Sequence, residues 1–167
     1  MEKLVMFFII VASTVYIWTM DIGIYIMDRG YRTVQYSLDH AVHDAALQID
    51  SNSLSEGSIK FLPELAENTF KETLQRNLNI DQDLNPISNI FLEGPIIIKD
   101  IVYLDDSYVV PETGDELEFP FIWEAKVSED EIFERSIFGP SIAVIVDAYV
   151  KGSSGYAPFL VIQEYKE

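Results

Sequence analysis

The chain has 167 residues, no cysteine, and 28 acidic against 11 basic residues, for a formal net charge of −17 at pH 7. That length holds a terminal anchor and one domain of ordinary size, and the lack of cysteine excludes disulfides, thiolate metal sites and cysteine nucleophiles. Residues 1–30 carry three acids and two bases, so nearly all the negative charge lies beyond them, where it repels phosphate backbones and no nucleic-acid partner is expected.

Leu4 to Met20 carries no charge. As a helix it is about 26 Å long, slightly short of a ~30 Å hydrocarbon core. Continuing through Asp21 and the apolar Ile22–Met27 stretch gives about 36 Å, enough to span with some tilt. No small-x-small cleavage site follows, so the expectation is an uncleaved transmembrane anchor over residues 1–27 rather than a secretory signal. Its partner is the lipid membrane. Lys3 flanks one side, and Arg29 and Arg32 the other. The short N-terminal tail and acidic remainder favour a cytoplasmic N-terminus and a head outside the cell.

Residues 28–52 extend the helical pattern. Val34, Leu38, Ala41 or Val42, Ala45 and Ile49 recur at three- and four-residue steps, opposite Arg32, Gln35, Asp39, His43 and Gln48. The expected element is one helix from about Glu2 to about Asp50, lipid-facing in its first half and amphipathic in its second. Within it, Asp21 is either a functional intramembrane acid that pairs with a neighbouring subunit or the mark of the outer interface. Ala12, Thr19, Gly23 and Gly30 fall within about 40° of one another on a helical projection. Such a small-residue stripe suits close lateral packing of helices, in a homo-oligomer or with other membrane subunits.

Residues 53–167 form the acidic head. Ser53–Ser58 reads as a polar loop. A second helix is expected from near Pro63 to about Leu78, with Leu62, Leu65, Ala66, Phe70, Leu74 and Leu78 as its apolar face. Beyond Pro86 the pattern turns to strands: Ile96–Ile98, Ile101–Leu104, a short Tyr108–Val110, and Leu117–Val127, where Pro120 implies an edge or a bulge. Ser128–Ser136 reads as a loop or a single helical turn. Ile142–Val150 and Ala157–Tyr165 form a hairpin through Lys151–Gly155. Helices followed by strands indicate an α+β fold with an antiparallel sheet of about four to five strands packed on helix.

Little here supports catalysis. Asp39/His43 and His40/Asp44 are i,i+4 pairs on the stalk helix, but they point about 100° apart and do not close readily around one ion. Acid clusters at Asp81/Asp83, Asp105/Asp106, Glu112/Asp115/Glu116 and Glu129/Asp130/Glu131 read as solvated loops; none has EF-hand spacing, though oxygen-rich loops suit calcium. No phosphate loop, dinucleotide fingerprint or nucleophile–base motif is present. The expectation is a non-enzymatic protein with no catalytic residues, no metal and no cofactor.

The first fifty residues resemble the Tad-type pilus-assembly pseudopilins, the TadE-like family. The likeness rests on an apolar N-terminal helix, the acid and glycine near its end (Asp21-Ile22-Gly23), and the following run Gln35-Tyr-Ser-Leu38-Asp39-His-Ala41-Val-His-Asp-Ala45-Ala46. It implies a pilin-like fold and a minor pilin-like protein that helps assemble a cell-envelope pilus or secretion filament. Met1-Glu2-Lys3-Leu4 lacks the glycine or alanine at which prepilin peptidases cut, and no glutamate follows shortly after. The alternative is an anchored accessory subunit of a conjugation, competence or sporulation machine without a filament.

Overall fold

A computed structural model describes residues 2–110, 114, 117–126 and 132–166. The first element, α1, is an uninterrupted helix over Glu2–Ala46. It stops four residues short of the expected end because Ile49 leaves the helix to bridge Phe61, flanked by bonds from Asp50 N–H to Lys60 O and from Leu62 N–H to Gln48 O. Asp50 then caps a short helix, α2 (Ser51–Ser55), its carboxylate accepting from the Asn52 N–H. The polar Ser53–Ser58 stretch, expected as a loop, therefore begins inside one helical turn.

Helix α3 (Pro63–Leu78) starts with proline in its first turn and ends at Asn79, a left-handed residue at φ 50°. Its buried residues are Ala66, Phe70, Thr73, Leu74 and Leu78. Leu62 and Leu65, expected on the apolar face, are exposed instead. The contact face rotates toward Thr73, which reaches Asp44 on α1.

Five strands follow: β1 (Ile97–Leu104), β2 (Phe121–Lys126), β3 (Ile132–Ile137), β4 (Ser141–Tyr149) and β5 (Tyr156–Glu164). All the pairings are antiparallel. They form a three-stranded sheet in the order β1-β4-β5 and a separate β2-β3 ribbon. The fold is α+β, with its strands in two layers. Helices α1 and α3 cover one face of the sheet through Val34, Leu38, Phe70 and Leu74 against Ile142, Val144 and Val146. The ribbon covers the other face through Trp123, Ala125 and Ile137 against Leu104, Ala143 and Ile145. Strand β4 lies between these layers and is buried from Ser141 to Val146, which explains its unbroken apolar run.

Two expected strands, Ile96–Ile98 and Ile101–Leu104, are one strand interrupted by an irregularity between Ile98 and Asp100. Strand β2 begins at Phe121, just after Pro120, whose missing N–H keeps it out of the ladder. Along β2, Ile122, Glu124 and Lys126 are exposed while Trp123 and Ala125 are buried, as the pleat requires. Tyr108–Val110 reduces to a single bridged residue, Val109. The expectation for Ser128–Ser136 is corrected over its described part: residues 132–136 belong to β3. Five of that strand's six residues are exposed, so it is held by its ladder to β2 and shows no apolar periodicity. Of the residues that separate Val110 from Leu117, only Gly114 is among those described.

Candidate functional site

The bare half of α1 is the outstanding surface of the molecule. Every residue from Glu2 to Ile26 is exposed, and burial begins only at Met27 and Gly30. This is a helix long and apolar enough to cross a membrane, and none of its apolar window is covered by protein. In water such a surface would be costly at roughly 25 cal/mol per Å² of apolar area. Two of its hydroxyls suit lipid. Thr14 and Thr19 donate to the Ile10 and Val15 carbonyls, each at 2.9 Å, so neither presents an unpaired donor to hydrocarbon.

The structure divides the small-residue stripe. Ala12, Thr19 and Gly23 lie on the bare half, and a Cβ built on Gly23 would meet nothing within 4 Å. Gly30 lies inside the head, where an added Cβ would sit 2.6 Å from Val150 Cγ1 and 3.5 Å from Phe91 Cβ. One helix face therefore passes from the head's own β4–β5 connection to open surface. Asp21 is exposed at the end of the long apolar run and forms no ion pair among the described residues. Asp28 and Arg32 pair at 3.0 Å, both exposed, an interaction worth a few tenths of a kcal/mol.

The stalk histidines and acids separate as their spacing implies. Asp39 accepts from Gln35 Nε2 at 3.0 Å. Asp44 accepts from Thr73 Oγ1 at 2.7 Å, and Thr73 in turn accepts from Arg76 Nη2 at 3.0 Å. His40 and Asp44 line an open cleft of about 520 Å³ between α1 and α3. In it Asp44 joins the two helices through Thr73, whose hydroxyl also accepts from Arg76, and all three line the cleft. Among the described residues, no group of three or more His, Asp or Glu side chains is placed to hold a metal ion.

Of the described acid clusters, Asp83 and Asp106 are exposed and Asp81 half-buried, and only Asp105 departs from the solvated-loop expectation. Asp81 Oδ1 accepts from the Asp83 and Asn85 N–H groups at 2.9 and 2.8 Å, closing a turn. Asp106 Oδ2 accepts from Ile59 N–H at 2.7 Å. Asp105 is no solvated loop residue, being only 3% exposed. Its Oδ2 accepts from Phe61 N–H at 2.8 Å, and its Oδ1 from Ser107 N–H at 2.9 Å and Ser107 Oγ at 2.6 Å. Asp105 thus ties the end of β1 to the segment entering α3. Neither Thr73 nor Asp105 stands out in the sequence, where one is a lone hydroxyl on a helix and the other half of an Asp-Asp turn. The clusters at Glu112/Asp115/Glu116 and Glu129/Asp130/Glu131 lie outside the described residues.

Tyr103 donates to Pro63 O at 3.1 Å, and burial, with Glu67 adding a smaller repulsion, pushes its phenol up to about 12. The native state holds this proton more tightly than the unfolded chain, so the contribution is complete below about pH 10 and is lost as pH rises toward 12. In a spectrophotometric titration Tyr103→Phe is expected to remove a component that ionises near pH 12. An unchanged curve would contradict this placement.

Compared with family models, with curated proteins and with solved structures, the chain matches none.

Proposed function

We propose that this chain is a non-enzymatic, single-pass membrane protein of the minor pilin-like, TadE-like kind, which assists assembly of a cell-envelope pilus or secretion filament. The reading rests chiefly on one observation: a single 45-residue helix is bare and apolar in its first half and a core element of an α+β head in its second. A continuous helix fixes the head to the span without a flexible joint, so contacts between neighbouring spans orient the heads. The run from Gln35 to Ala46 gains a physical role, since Leu38, Ala41, Ala45 and Ala46 are the buried face that seats the head on the helix.

In this reading the N-terminus is cytoplasmic and the acidic head stands outside the membrane. Ala12, Thr19 and Gly23 supply the surface on which other spans pack, either copies of this chain or other assembly subunits. Gly23→Leu tests it. The position is open, so the head is expected to keep its stability while cross-linking between neighbouring spans in membranes is lost. Cross-linking equal to that of the unaltered protein would overturn the assembly role and leave an anchored accessory subunit as the better description.

A further inference from the structure

We infer that the β4–β5 turn, Lys151–Gly155, rests in the phospholipid headgroup layer and fixes the outer boundary of the span at Met20–Asp21. The inference deepens the membrane reading above and rests on it. The turn reaches down α1 beyond the rest of the packed core: a Cβ on Gly152 would lie 3.7 Å from Met27 Cβ and 4.0 Å from the Gly23 carbonyl oxygen. It therefore occupies the height of residues 23–27 on the helix, immediately above Asp21.

The chemistry of the turn sets its surroundings. It is Lys-Gly-Ser-Ser-Gly, with no apolar side chain. Ser153 is internally paired, its N–H and hydroxyl both donating to Val150 O. Among the described residues, the N–H groups of Gly152 and Ser154 donate to no backbone acceptor outside the regular elements and to no side chain. Hydrocarbon would leave those donors and the Lys151 ammonium unpaired, whereas phosphate oxygens and interfacial water satisfy them. A span continued to Met27 would draw this turn into the core of the bilayer. A span ending at Met20 places Asp21 and the turn together at the polar boundary, and the ~26 Å apolar run is accommodated by slight local thinning.

The absence of native cysteine makes the test direct. Ile10→Cys, Ser154→Cys and Ser55→Cys variants of the full chain are labelled with a fluorophore and placed in phosphatidylcholine nanodiscs. The nanodiscs carry a nitroxide quencher on either the headgroup or the acyl chain. The Ser154 label is expected to lose most of its fluorescence to the headgroup quencher and little to the acyl-chain quencher. The Ile10 label is expected to show the reverse, and the Ser55 label to respond to neither. A Ser154 label as unresponsive as Ser55, with Ile10 still quenched, would overturn the headgroup contact and leave the anchor standing. Stronger quenching of Ser154 by the acyl-chain nitroxide would overturn the boundary at Met20. An Ile10 label untouched by either quencher would overturn the membrane reading itself, and this inference with it.

Discussion

Asp105→Ala is expected to destabilise the head by about 3–5 kcal/mol, the largest loss from any single polar side chain described here. The carboxylate is buried and accepts three hydrogen bonds, from Phe61 N–H, Ser107 N–H and the Ser107 hydroxyl. Bonds to a charged acceptor contribute about 1.5–3 kcal/mol each, and truncation leaves the Phe61 donor unsatisfied beside the core. The damage would be long-range in sequence, because the bond to Phe61 spans 44 positions. Asp105→Asn keeps the shape and one carbonyl oxygen but turns an amide donor toward existing donors, so an intermediate loss is expected. Thermal unfolding of the full chain in detergent checks both, with a drop of roughly 10 °C expected for alanine. Alanine within about 0.5 kcal/mol of the parent would show that Asp105 is solvated after all.

The second large effect is at Gly30. An added Cβ would come within 2.6 Å of Val150 Cγ1, and Val150 is fully buried, with a branched side chain that has little room to turn. Overpacking of this kind costs about 1–3 kcal/mol, against a helix-propensity gain of about 1 kcal/mol on replacing glycine. Gly30→Leu carries the larger volume and is expected to lose about 2–3 kcal/mol net. A double-mutant cycle isolates the contact. Gly30→Ala is expected to destabilise the parent, yet to stabilise a Val150→Ala background by up to about 1 kcal/mol, where the opposing methyl is gone. A gain in both backgrounds would rule out the close approach. Gly23→Leu, on the same helix face seven residues earlier, is expected to leave unfolding unchanged.

The contrast between these glycines shows what the sequence could reveal. Helical projection places Ala12, Thr19, Gly23 and Gly30 on one face, and that placement is a property of the helix alone. Whether lipid, a second subunit or the head's own turn meets the face depends on tertiary packing, and Gly30 meets Val150. The long helix, α3 and the β4–β5 hairpin were legible because each has a strong period, a breaker or a glycine-rich turn. The division into a three-stranded sheet and a ribbon was not. Pairing partners leave no mark in a strand's own sequence, and β3 (Ile132–Ile137) is too exposed to alternate clearly. Asp105 was misread for a related reason: Asp-Asp-Ser is ordinary turn composition, and only the distant Phe61 segment buries it.

The central claim is that α1 is both a membrane span and a core element of a head held outside the cell. Thiol labelling of intact cells tests it most directly, using Ile10→Cys and Ser55→Cys variants, a membrane-impermeant maleimide and carbonate extraction. The account predicts that the protein stays in the membrane after extraction, that Ser55→Cys is labelled from outside, and that Ile10→Cys is not labelled. Release of the protein by carbonate, or labelling of Ser55→Cys only after lysis, would contradict it.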